Sequence, residues 1–568
     1  MKSRCGGTEV VSLQPDEIAE GEGAVSQVER LNPRTVGRQE LVQTAAAEFV
    51  HRHERRRRQA PRAVLVGVVA GLASVAFRFG TQECDVLRVW VLHHSRAFGL
   101  APLVPVAWCA IGATVAVALV RRYAPETAGS GIPHVESVLY GKRPMLWLRV
   151  LATKFIGGLF ALGGGLALGP EGPAVQIGAA AGQAAGLAVG ATPREKQALI
   201  AAGAGAGLAA AFNAPLAGMM FVLEELQRDF APGIFTPAFL AAVTADVVSR
   251  VLMGQGPVFD VHVNGYPPLD ALPAYSILGV LAGLLGVVFN RTLLASLGFF
   301  NRQKRVSPVL AAGVVGAAVG FVGWFRPDCL GSGEELVSST LRAHSAVSVL
   351  LALFILRFVM TTVSAGCGAP GGLFAPLLVL GAILGRVVGQ VSSFWVPEWG
   401  HHLPSFAAVG MAAFLTAIVR APVTGVVLIF EMTGHYDLML PLLAASALAY
   451  IVAELLKDKP LYEALLHFDL ARGSQVQAGE GPQPVSEALL VDVRLHRGAP
   501  FEGRRVRDLG LPHGCLLVTV RRGVQELVPD ADLVLRAGDQ ITAVIDASAN
   551  DGVASLRHGT QRHGPLGG

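Results

Sequence analysis

Charge is what this chain has least of. Only 15% of its 568 residues are Asp, Glu, Lys or Arg, against about 25% in soluble proteins, while 52% are hydrophobic and the mean hydropathy is +0.50. That balance excludes ordinary soluble and disordered classes. Cysteine is equally sparse: Cys5, Cys84, Cys109, Cys329, Cys367 and Cys515 show neither CxxC nor metal-ligand spacing, so no disulfide scaffold and no zinc or other metal site is expected. With no HExxH and no nucleophile–base pair, a membrane hydrolase is disfavoured; the chain is not expected to be an enzyme or to need a cofactor. A net charge of +4 is small for this length, and no nucleic-acid partner is expected. The first sixty residues lack a short apolar core with a small-residue cleavage site, so no cleavable signal peptide is expected either.

What the chain has is apolar runs. Twelve lie between about 63 and 456, among them 63–80, 197–223, 372–393 and 406–431. Several are shorter than the roughly 20 residues that cross about 30 Å of hydrocarbon, and many contain Gly or Pro, which points to half-helices in a polytopic membrane protein. His51–Arg58 (HRHERRRR) precedes the first run, and the positive-inside tendency places that end in the cytoplasm. The organisation is then a cytoplasmic arm (1–60), a membrane domain (61–468), a linker (469–487), a small cytoplasmic α+β domain (488–548) and a tail (549–568). Strands are expected at Leu489–Leu495, Cys515–Val520 and Gln540–Ile545, separated by turn signals such as Leu511–Gly514.

The membrane region repeats itself at an offset of 202 to 207 residues. Gly129-Ser130-Gly131 matches Gly331-Ser332-Gly333, Gly169–Pro173 matches Gly372–Pro376, and Asn213–Glu224 lies over Arg420–Glu431. Repeated halves with interrupted helices are how secondary transporters build a midplane site. Self-similarity alone does not say whether the halves are parallel or inverted.

Gly169-Pro170-Glu171-Gly172-Pro173 opens an apolar helix, whose unpaired N–H groups and dipole suit an anion. Gly372–Pro376 offers the same device, and Gly129-Ser130-Gly131-Ile132-Pro133 adds flexible backbone and a hydroxyl donor. With no Lys or Arg in these motifs, the pattern describes an anion pathway of modest affinity. Glu171 would occupy the place of an external anion when ionised and withdraw when protonated. Phe374 stands at its position in the second half, so shared packing does not require an acid there. Glu224 has the counterpart Glu431, whereas Glu225 faces Met432. That asymmetry nominates Glu225 as a proton acid and gives Glu224 a structural role. Lys154, Arg357 and Arg420 are read as pairing with carboxylates or capping carbonyls, and His134 and Glu136 stand at helix-start positions after the GSGIP turn; none of the five is assigned a catalytic role.

GSGIP at 129–133, GPEGP at 169–173, NAPLAG at 213–218 and GGLFAP at 371–376 together closely resemble the CLC chloride channel and transporter family, over about residues 60–468. The resemblance implies an all-α polytopic membrane protein with two inverted repeats of broken, tilted helices. It also implies a homodimer in the cell's inner membrane, both termini cytoplasmic, with one anion pathway per subunit. Chloride would be bound by Ser130, Tyr462 and the amides of Leu373 and Phe374. Glu171 would be the gating glutamate and Glu225 the internal proton glutamate. The selectivity loops would comprise Gly129, Gly131, Ile132, Pro133, Gly169, Pro170, Gly172, Pro173, Gly372 and Pro376. Both acids together favour chloride/proton exchange; the alternative is a passive voltage- or ligand-gated chloride channel. Residues 488–548 resemble a TrkA-C domain, which implies a small regulatory ligand.

Overall fold

The computed structural model describes residues 38–97, 103–256, 258–259, 267–303, 305–342, 345–477, 488–512, 514–523 and 525–546, with 556 and 559–560 beyond them. Residues 1–37 of the expected arm, the side chains of the basic cluster, and most of the linker and tail lie outside these. The chain divides into two compact units, Met1–Asp469 and Leu470–Gly568.

The first unit is helical. Among the described residues nine helices are long and apolar enough to span a membrane. The first begins before the expected boundary at 60: one helix runs Arg38–Ala97 and carries Pro61 inside it. Two expected segments are corrected. The run 197–223 is two helices, Pro193–Phe212 and Pro215–Phe221, the latter ending in a π-helical turn, Val222–Leu226. The run 406–431 is likewise Leu403–Val419 and Pro422–Thr433. The breaks are at Asn213 and Arg420, in left-handed conformation at φ 52° and 69°. An apolar run hides such a break, but the proline two residues on begins a new helix and bars its predecessor from helical geometry.

The direction of the repeats follows from two carboxylates. Glu224, in the π turn after Pro215–Phe221, accepts hydrogen bonds from the amides of Val423 (3.1 Å) and Thr424 (2.7 Å) at the start of Pro422–Thr433. Glu431, near the end of Pro422–Thr433, accepts from the amides of Leu216 (3.0 Å) and Ala217 (2.8 Å) at the start of Pro215–Phe221. Each segment thus caps the other's unpaired N–H groups, where a negative charge is also favoured. Only antiparallel segments can do this, so the two halves are inverted.

Close backbone approach holds each half together. Helix Glu171–Ala188 packs on Pro193–Phe212 so tightly that a Cβ on Gly178 would collide with the Gly203 carbonyl. In the second half Phe374–Ser393 packs on Leu403–Val419, and a Cβ on Gly381 would collide with the Gly410 carbonyl. Small residues at helix contacts are how membrane helices gain van der Waals packing where solvent drives nothing together.

The second unit is a four-stranded antiparallel sheet in the order β1-β4-β2-β3, with β1 at Ala488–Arg494, β2 at Cys515–Arg522, β3 at Gln525–Leu527 and β4 at Gln540–Asp546. Three strands match expectation to within a few residues. β3, short and polar, carried no alternation to find. Leu517, Val520, Ile541, Ala543 and Ile545 form its core. Asp539, fully buried, takes two hydrogen bonds of 2.8 Å from Arg522.

Candidate functional site

Three helix-start loops meet inside the first unit. The loops before Glu171–Ala188 and Phe374–Ser393 pair with each other: the Gly169 amide donates to the Gly372 carbonyl (2.9 Å) and the Gly372 amide to the Gly169 carbonyl (2.7 Å). The Gly371 amide donates to the Gly129 carbonyl (3.0 Å), tying in the loop before Ile132–Leu139. Three of the sequence motifs therefore converge although 40 to 240 residues separate them.

Glu171 lies fully buried at this junction. Its Oε1 accepts from the Ala375 amide at 3.0 Å, on the first turn of the opposite half's helix, and its Oε2 has no hydrogen-bond partner. A Cβ at Gly169 or at Gly372 would overlap the carboxylate, so both glycines are needed for it to sit there. The carboxylate thus occupies the amide end of a helix, where an anion is held by N–H groups and dipole. Ala375 was not singled out in the sequence; its signal is its place one residue into the helix that Phe374 opens.

Two of the expected chloride ligands are in contact with each other. Phe374 stacks on Tyr462, with ring centroids 6.1 Å apart and planes at 19°, and meets Phe221 edge-on at 5.6 Å. Tyr462, on Leu461–Gln477, is fully buried and its hydroxyl has no partner. Ser130, Leu373 and Phe374 are all buried, and the Ser130 hydroxyl takes only a long contact, 3.4 Å, from the Ile132 amide. Unpaired buried hydroxyls cost free energy unless something fills the place of the missing partner. Gly172 sits against Ser130, since a Cβ there would lie 2.7 Å from the Ser130 carbonyl. Gly131 and Gly129 hold left-handed conformations at φ 83° and 63°. Ile132 and Pro133 start the helix that follows, and Pro170, Pro173 and Pro376 occupy the corresponding starts of the other two.

Two buried cations hold the Gly-Ser-Gly turns. Lys154 donates to the carbonyls of Thr127 (2.9 Å) and Gly129 (2.6 Å). Its counterpart Arg357 donates to Cys329 (2.7 Å), Gly331 (2.6 Å) and Ser332 (2.6 Å). Both side chains spend their donors on backbone carbonyls of the turns.

Glu225 lies in the π turn, 3% exposed, with Oε1 unpartnered. It lines a cavity of about 620 Å³ shared with Glu224, Arg228, Arg420, Asp458 and Glu463. Arg228 lies 4.0 Å from Glu136 and 3.5 Å from Glu463. The adjacent Glu224 points away, to its helix cap. Among the described residues no cluster of three His, Cys, Asp or Glu is placed to hold a metal.

Residues 112–454 match the family described as voltage gated chloride channel. The chain belongs to that family. Residues 490–555 match the TrkA-C domain. The chain is 39% identical over 425 residues to the H(+)/Cl(-) exchange transporter ClcA of Cronobacter sakazakii, covering 72% of this chain and 89% of that protein. Among solved structures it is similar to a slow cyanobacterial Cl-/H+ antiporter, at 34% identity and a TM-score of 0.70 over 73% of this chain and 98% of that one. A eukaryotic CLC transporter is similar at 27% identity and a TM-score of 0.63, covering 72% and 74%.

Proposed function

We propose that this family member exchanges chloride for protons across the membrane, with Glu171 as the gate. The observation that carries the reading is the Glu171 carboxylate on the Ala375 amide. Ionised, it holds the anion's place; protonated, it loses the charge that the helix end favours and gives way to chloride. One group therefore carries either a proton or the charge that excludes chloride, and this couples the two flows. Tyr462, Ser130 and the amides at Leu373 and Phe374 bind chloride on the near side, and Glu225 exchanges protons with the solution in the large cavity. Relatives named as exchangers of the same two ions support the reading.

The same reading places the chain in the cell's inner membrane with both termini cytoplasmic. It makes the working unit a homodimer with one pathway per subunit, and gives the TrkA-C domain a small regulatory ligand. The test is Glu171→Gln in liposomes: chloride flux continues and proton flux disappears. Proton coupling equal to wild type in that variant would refute the gate.

A further inference from the structure

The halves differ in where each keeps its acid, and the difference reveals a second acid beside the gate. In the first half Ser130 stands in the Gly-Ser-Gly turn and Ile132 opens the helix that follows it. The inverted repeat places Ser332, Glu334 and Met432 at the corresponding positions of the opposite end. Met432 replaces Glu225 there, and Glu334 replaces Ile132. Glu225 and Glu334 are thus acids that their counterparts lack, and the shared packing requires neither.

These opposite-end residues do meet. Ser332, Glu334, Val379, Met432 and Ala375 line one small cavity of about 10 Å³, close to the least volume that holds a single water. Ala375 is the residue whose amide binds Glu171 Oε1, and Glu171 Oε2 is a buried acceptor with no hydrogen-bond partner. Glu334 itself is exposed. Its placement is fixed by Gly333, at φ 83°, where a Cβ would lie 2.8 Å from Val379 and 2.9 Å from Arg357. The charges that face it are Arg78 and Asp85 of the first long helix, Arg357 behind the turn, and Glu171, on which its own charge acts.

We propose that Glu334 is a proton-exchange residue for the mouth opposite Glu225, passing protons between that solution and Glu171 through one water. The step moves a single proton: the Glu334 carboxyl donates to the water, the water donates to the Glu171 carboxylate, and no electrons change hands. Glu334 and Glu225 then serve the two faces of one gate. The inference rests on the exchange reading.

The test uses the full chain in liposomes. Glu334→Gln lowers chloride-driven proton flux by about tenfold, and Glu334→Asp restores most of it. In a Glu171→Gln background, which takes up no proton, adding Glu334→Gln changes chloride flux no further. Proton flux in Glu334→Gln equal to wild type would overturn the inference. So would an equal loss of chloride flux in the double variant, which would make Glu334 a structural or anion-path residue. If the wild type itself moves no protons, the exchange reading fails first, and the two failures are distinguishable.

Discussion

Glu224 and Glu225 are neighbours in the chain and are predicted to fail in opposite ways. Glu224 accepts from the Val423 and Thr424 amides and from the Thr424 hydroxyl at 2.7 Å. Gln at 224 keeps one acceptor oxygen for these three donors and turns an NH₂ toward at least one of them. A hydrogen bond to a charged group contributes about 1.5–3 kcal/mol. Partial solvent access reduces the loss to about 1–2 kcal/mol. Glu225 Oε1 has no hydrogen bond to lose, and a buried neutral amide is easier to accommodate than a buried carboxylate. In detergent, Glu224→Gln therefore melts below wild type while Glu225→Gln melts at or above it. In liposomes the order reverses: Glu224→Gln keeps its proton-to-chloride ratio, and Glu225→Gln loses proton flux. A Glu225→Gln protein as unstable as Glu224→Gln, with its coupling intact, would refute the division of roles.

Tyr462→Phe removes a hydroxyl that has no protein partner, so stability is unchanged, and chloride binding measured by calorimetry weakens by about 10- to 100-fold, the worth of one hydrogen bond to a charged group. Lys154→Met leaves the carbonyls of Thr127 and Gly129 without their donor; chloride binding falls together with melting temperature, and a variant with both unchanged would remove Lys154 from the site. Gly178→Leu cannot fit against Gly203, and size-exclusion chromatography of the variant is expected to show aggregated rather than folded protein. Asp539→Asn leaves the partly exposed Arg522 without its charge partner; limited proteolysis should release the C-terminal domain faster, at a loss of about 1–3 kcal/mol, while chloride flux persists.

Much of the membrane unit was legible because its chemistry is carried by Gly, Pro and isolated acids against an apolar background. The three motif pairs revealed the repeat, and the asymmetry of Glu171 and Glu225 marked the acids. Inversion was not legible in the self-similarity itself, which has no direction; it was expected only through the family resemblance, and the reciprocal caps of Glu224 and Glu431 show it. The breaks at Asn213 and Arg420 were masked by continuous hydrophobicity, although Pro215 and Pro422 carried the signal. Ala375 escaped notice because it acts through its amide, and no side-chain pattern reports an amide. Glu334 is hidden for a different reason: it lies one residue beyond the shared Gly-Ser-Gly turn, where the first half has the apolar Ile132.

The central claim is that one carboxylate couples two ions, and it is tested most directly on the unaltered protein. Purified protein is placed in liposomes with a chloride gradient and no proton gradient, and proton movement is followed. The account predicts protons driven uphill by chloride. Chloride flux with no accompanying proton movement would contradict it and leave a passive channel.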